Sequence, residues 1–180
     1  GQITADDRQK IGSPHPDFTY GINLNLGYKG FDLAAFFNGS QGNDAYNYNK
    51  VFTDFGYFFL GNRSARVLDA WTSSNTDTMI PALSSSYPLN ESSANSYFVE
   101  DASFLRLKNL QIGYTLPDSA IQAIGADSVR FYVQGTNLFT LTDYTGFDPE
   151  VVAYDNLSLG IDSRVYPFAK TITLGTNIKF

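Results

Sequence analysis

Few side chains in this sequence are placed to do chemistry. His15 is the only histidine and sits between Pro14 and Pro16. One imidazole cannot build a histidine-based triad or a histidine-rich metal site, and its proline flanks mark an exposed loop. Cysteine is absent, which removes disulfides, thiolate metal sites and thiol nucleophiles. Carboxylates gather at Asp143, Asp148, Glu150, Asp155 and Asp162. Paired carboxylates can serve as general acid and base or hold Ca²⁺ through oxygen. Here the D-x-[DN]-x-[DN]-G spacing of a calcium loop is missing, and Asp148-Pro149-Glu150 reads as a turn whose aspartate accepts backbone hydrogen bonds. Asp6, Asp7 and Asp69 read the same way. The run Gly39-Ser40-Gln41-Gly42 does not fit a phosphate loop and also reads as a turn. We expect no catalytic residue, no cofactor and no metal, and nothing in the sequence supports an enzyme.

The aromatics are more informative. Tyr46, Tyr48, Phe52, Phe55, Tyr57, Phe58 and Phe59 cluster in one stretch. Aromatic faces stack on sugar rings and anchor protein interfaces. Three uses are open: packing the stretch onto itself, contact with a protein partner, or contact with a bound ligand.

Those aromatics belong to a chain of 180 residues with 16% aromatic and 17% charged residues and a net charge of -6. Such a balance favours a β-rich protein with interfacial aromatic belts. The negative charge excludes nucleic-acid binding, which needs a basic footprint. No apolar run approaches the ~20 residues of a transmembrane helix. The only methionine is Met79 and residue 1 is glycine, so we expect a C-terminal piece of a longer protein.

Strands must carry the rest. Over residues 18–28, Phe18, Tyr20, Ile22, Leu24, Leu26 and Tyr28 alternate with Thr19, Gly21, Asn23, Asn25 and Gly27. Aromatics at both ends of an apolar face, with a small or polar opposite face, are what a strand between lipid and a wet interior needs. Lys29-Gly30 predicts a tight turn into a second strand over 31–38. Further strands are predicted over 104–116, 129–139 and 169–180, with a helical turn near 117–124 and another near 64–71. In the 104–116 strand Arg106 and Lys108 share the phase of Leu110, Ile112 and Tyr114, so either they lie above the membrane or a bulge switches the phase. Segments 39–103 and 140–167 become long loops. Short links on one side and long loops on the other are the topology of an outer-membrane barrel. Five strands cannot close one, since the smallest have about eight.

The blocks P-D-F-T-Y-G-I-N-L-N-L-G-Y-K-G-F-D-L (16–33), D-A-S-F-L-R-L-K-N-L-Q-I-G-Y-T-L-P (101–117), F-Y-V-Q-G-T-N-L-F-T (131–140) and Y-P-F-A-K-T-I-T-L-G-T-N-I-K-F (166–180) resemble the late barrel strands of SusC/RagA-type TonB-dependent transporters, in that family's order and spacing. The resemblance implies an all-β chain forming the last five antiparallel strands of a barrel of about 22, with the plug domain outside it. It further implies residence in the bacterial outer membrane with a periplasmic C-terminus. A SusD-type surface lipoprotein would cap the barrel, oligosaccharides or peptides would be the cargo, and the TonB complex would supply energy through the plug. The aromatic stretch would then face lid or cargo, or pack on itself.

The terminal strand also resembles the signal read by the barrel-assembly machinery: an alternating apolar face ending in an aromatic, recognised by strand addition. Tyr166, Leu174, Ile178 and Phe180 are the expected carriers of that signal. Competing readings are a passive channel or adhesin barrel, and a soluble glycan-binding β-sandwich. Outside its barrel the segment would expose two strand edges and a lipid face, so it is expected to aggregate in water.

Overall fold

A computed structural model describes residues 4–55, 61–84, 93–122, 125–151 and 155–180. In chain order the strands are β1 (Phe18–Tyr28), β2 (Phe31–Gln41), β3 (Asp44–Asn47), β4 (Val99–Asp101), β5 (Phe104–Thr115), β6 (Ser128–Thr142), β7 (Ile161–Asp162) and β8 (Thr171–Lys179). The short helices are α1 (Asn49–Thr53) and α2 (Asp118–Ile121). They fall into two compact units, one of Asp17–Gln41, Ser103–Asp143 and Pro167–Phe180, the other of Gly1–Pro16, Gly42–Ala102 and Tyr144–Tyr166.

The first unit is a five-stranded sheet in the order β1-β2-β5-β6-β8, every neighbouring pair antiparallel. Its register produces one apolar face. Leu26, Leu33, Ile112, Val133 and Leu174 lie in one cross-strand row, and Leu24, Ala35, Leu110, Gly135 and Ile172 in the next. Tyr28, Phe31, Tyr114 and Phe131 cross the sheet at one end, with Phe31 and Tyr114 rings 4.5 Å apart. The opposite face carries the row Asn25, Ala34, Gln111, Gln134 and Thr173, in which the Gln111 amide donates to Gln134 at 3.1 Å.

The Arg106 and Lys108 alternatives resolve as a bulge. Phe36 pairs with Asn109 and Phe37 with Leu107, leaving Lys108 as the extra residue of β5. Before it Leu105 and Leu107 share the apolar face; after it Leu110, Ile112 and Tyr114 do. Arg106 thereby joins the polar face, opposite Asn38 and Thr140, and its Nε donates to Thr140 Oγ1 at 2.8 Å. On β6 the same irregularity leaves Asn137 at φ 51°, a conformation asparagine tolerates better than most residues. A guanidinium that would have faced lipid turns to the polar face instead, where it is buried.

Lys29 (φ 45°) and Gly30 (φ 86°) make the two-residue β1–β2 turn with both central residues left-handed, the geometry that matches strand twist. Gly175 is required for a different reason. A Cβ there would lie 2.3 Å from the Tyr132 ring, which covers it across the β6–β8 pair.

Segment 42–102, anticipated as loop, is folded. β2 runs to Gln41 before Gly42 (φ 82°) ends it, because Gly39 and Ser40 keep their ladder partners Leu105 and Phe104 despite weak strand preference. Beyond it a three-stranded sheet forms in the order β4-β3-β7, β3 antiparallel to β4 and parallel to β7. A 3-10 helix spans Ala65–Asp69, with Ser64 Oγ accepting from the Arg66 N–H.

Candidate functional site

The aromatic stretch closes over a core of its own. Val51, Phe55 and Phe98 are buried together, and Tyr46, Phe52 and Tyr97 pack against them. Phe55 meets Phe98 edge-on at 5.7 Å and Tyr97 at 5.5 Å. Burying such rings contributes about 1.5–3 kcal/mol each. Phe55, 6% exposed, supports the fold and presents nothing outward; among the described members of the set Tyr48, 36% exposed, is the open one. Tyr57, Phe58 and Phe59 lie outside the described residues.

Around this core runs an ionic network that sequence patterning does not announce. Lys50 Nζ lies 2.6 Å from Glu100 Oε1, donates to the Tyr97 carbonyl at 3.0 Å and sits 4.7 Å from the Tyr97 ring centroid. Glu100 also accepts from the Thr145 N–H (2.7 Å) and hydroxyl (2.8 Å) and from Asn47 Nδ2 (3.1 Å). Burial pushes the Glu100 carboxyl up, but the bonds from Lys50 and Thr145 outweigh it and hold the group below its ordinary value. The Tyr97 hydroxyl donates to Asp54 at 2.6 Å, and burial followed by that bond pushes the phenol up. Lys50, Glu100, Asn47 and Thr145 are far apart in sequence with no motif spacing, so nothing short-range could have singled them out.

Beside the network is a cavity of about 350 Å³. Asn47, Asn49, Arg63, Arg66, Thr145 and Phe147 are among its lining residues. Arg66 is fixed by Ser64 Oγ (3.1 Å), Thr145 Oγ1 (3.3 Å) and Asp54 (3.4 Å).

The loop carboxylates hold turns. Asp148 Oδ1 accepts from the Glu150 N–H, Asp155 from the Leu157 N–H and Ser158 Oγ, and Asp162 from the Tyr144 hydroxyl and the Arg164 and Val165 N–H groups. His15 is exposed. Among the described residues no group of three or more His, Cys, Asp or Glu is arranged to hold a metal ion.

Of the terminal-strand set, Leu174 and Ile178 pair with Val133 and Val129 on the apolar face, and Phe180 follows in the same phase. Leu174 is 81% exposed and Phe180 equally so. Tyr166 lies outside the strand, which starts at Thr171, where the pairing with β6 ends.

A sheet whose large apolar side chains point outward between aromatic ends, with long connections leaving one end and short turns the other, is a segment of outer-membrane barrel wall. No protein-family model matches the chain. It is 40% identical over its whole length to TonB-dependent receptor P3 of Formosa agariphila, covering 18% of that protein. It is 28% identical to TonB-dependent receptor SusC of Bacteroides thetaiotaomicron, again over its whole length and 17% of the relative. A chain of the RagAB peptide importer, solved in a closed-closed state, superposes with a TM-score of 0.81 at 32% identity, over 99% of this chain and 19% of that one. Over its whole length the chain matches a segment of SusC/RagA-type TonB-dependent receptors, which are outer-membrane proteins. It spans less than a fifth of the length of the curated relatives it matches.

Proposed function

We propose that this chain is wall and outer loop layer of an active importer that takes up oligosaccharides or peptides under TonB power. A SusD-type surface lipoprotein serves as lid, and TonB acts through a plug domain encoded elsewhere in the protein. Its residues shape a conduit and perform no bond chemistry. One observation carries the reading: the five strands superpose on the RagAB importer over nearly the whole chain while keeping a continuous apolar face. The C-terminus lies on the periplasmic side, with the short turns, and Leu174, Ile178 and Phe180 guide barrel assembly. Tyr48 is the described member of the aromatic stretch best placed to meet lid or cargo.

The test is uptake of labelled oligosaccharide and peptide pools by cells with the full-length receptor, with its gene deleted, and with TonB deleted. Import is expected to fall in both deletions, and a lipoprotein is expected to co-purify with the receptor. Uptake that survives loss of TonB would replace this reading with a passive channel.

A further inference from the structure

One cation of the loop layer is held by a ring rather than by an acid. Arg164 has φ 69°, a left-handed conformation that residues other than glycine seldom hold outside constrained or functional sites. Asp162, 1% exposed, fixes the turn. Its Oδ1 accepts from the Arg164 and Val165 N–H groups at 3.0 and 3.2 Å, and its Oδ2 from the Tyr144 hydroxyl at 2.7 Å. That carboxylate is spent on backbone and phenol. Among the described residues the Arg164 guanidinium forms no ion pair. It lies instead over the Phe52 ring, 4.6 Å from the centroid. Phe52 is itself anchored: its carbonyl accepts from Arg63 Nη1 at 2.9 Å, and Tyr48 meets its ring edge-on at 5.5 Å. The row of rings continues through Tyr46 to the buried Phe98. Arg164 is exposed, so a planar cation is displayed at the outer end of an aromatic row rooted in the loop core.

A guanidinium stacked on a ring keeps its in-plane N–H fork available, and that fork matches a carboxylate. The charge around it makes the match selective. In this unit aspartates and glutamates outnumber lysines and arginines by more than two to one. An acidic group approaching the layer is therefore repelled over most of it and attracted at Arg164, which sets register as well as adding affinity. The fixed turn and the ring beneath the guanidinium preorganise it, which lowers the ordering cost of contact. Arg164 is not among the residues lining the cavity of about 350 Å³, and small ligands are taken up in concave sites. An exposed arginine flanked by phenylalanine and tyrosine instead has the composition of a protein-interface anchor.

We infer that Arg164, laid on Phe52 with Tyr48 beside it, anchors a protein partner that brings an acidic side chain to the loop layer. This rests on the import reading, in which the surface lipoprotein is that partner. It adds the sign of the contact and the residue that makes it.

The experiment uses the full-length receptor in detergent and the lipoprotein that purifies with it, separated and titrated back together. Variants are Arg164→Gly and Arg164→Glu, with Lys10→Gln, exposed in the same unit, as control. Glycine holds a φ of 69° without strain, so Arg164→Gly removes the guanidinium while relaxing the turn. Its loop-layer hydrogen-exchange protection should be unchanged or higher; if Arg164→Glu does not fold, Arg164→Gly still decides. The expected result is affinity weakened about tenfold in Arg164→Gly, which corresponds to about 1.4 kcal/mol. Arg164→Glu should lose more and Lys10→Gln nothing, and the advantage of wild type over Arg164→Gly should shrink as salt is raised. Partner affinity indifferent to both Arg164 variants overturns the anchor, as does a receptor that holds no partner protein. So does a loss in Arg164→Gly matched by lowered loop-layer protection, which would make Arg164 a residue of the fold alone. Cargo binding that falls while partner affinity stays would also overturn it. Uptake with and without TonB separates the two proposals. TonB-dependent uptake with docking indifferent to Arg164 keeps the importer and removes the anchor. Docking that needs Arg164, with uptake that survives loss of TonB, keeps the anchor and removes the importer.

Discussion

The five-stranded sheet exposes rows of large apolar side chains on one face, whereas the loop layer gathers a compact set of them into a buried core of its own. Ile172 and Leu174 are 74% and 81% exposed, while Phe98 and Val51 are 0% and 2%. Ion pairs follow the same inversion. Arg130–Asp32, on the polar face of the sheet, leaves its side chains 19% and 39% exposed, but Lys50–Glu100 in the loop layer leaves 11% on each side. The sheet turns its apolar face to lipid and leaves the Arg130–Asp32 pair open, whereas the loop layer must supply its own core and so buries the Lys50–Glu100 pair alongside it. The same residue types are thus stabilised by opposite surroundings, and each region should fail under a different insult.

The largest effect expected is from Lys50→Met. Removing one partner of a buried, fully bonded pair costs about 3–5 kcal/mol, because the other charge stays buried. Hydrogen exchange on the full-length receptor should show loop-layer peptides losing protection while peptides of β1, β2 and β8 keep theirs. Equal loss in both would mean the two regions are one cooperative unit, and the contrast would fall.

Next comes a charge on the lipid face. Leu24→Arg near the middle of β1 should cost about 2–4 kcal/mol, and the adjacent Asn25→Arg on the polar face far less. Urea unfolding in lipid vesicles reads both. Similar costs at the two positions would show that the outward face is not against lipid. A several-fold fall in folded outer-membrane yield is expected on deleting Phe180, with ligand affinity of the assembled fraction unchanged; normal yield would remove its assembly role.

The two regions also differed in how far the sequence disclosed them. β1 and β8 were legible because lipid enforces strict alternation over their length, and the Lys29-Gly30 turn follows from local backbone rules. β5 was ambiguous at Arg106 and Lys108 since parity alone cannot locate an extra residue; Phe36, Phe37 and the unusual Asn137 settle it only through pairing across strands. The loop layer reads from sequence as mostly irregular. β3 and β7 are 4 and 2 residues long and pair across more than a hundred positions, too short for periodicity to register. The cavity beside the ionic network leaves no trace in the sequence, because Asn47, Arg66 and Thr145 acquire meaning only once folding gathers them. The aromatic stretch is plain in the sequence, yet its division into buried Phe55 and open Tyr48 depends on packing.

The smallest effect is on pH, and its sign separates the loop layer from the sheet again. Glu100 ionises below the ordinary glutamate value of 4.5 in the folded protein, because Lys50 and Thr145 favour its charged form over the cost of burial. A depressed folded value means the native state holds fewer protons, so its contribution is complete above pH 4.5 and drains away as pH falls through the lower, folded value. Asp155 is depressed too, through the Ser158 hydroxyl and the Leu157 N–H, but it is exposed. The readout must therefore be local. The Thr145 N–H donates directly to Glu100, so protection of a peptide covering 144–151 should fall as pH drops below 4.5. Glu100→Gln should flatten that response while lowering protection at neutral pH, and Asp155→Asn should leave the acid response in place. Acid sensitivity that persists in Glu100→Gln would assign it to another carboxylate and leave the Lys50–Glu100 pair without its inferred part in holding the loop layer together.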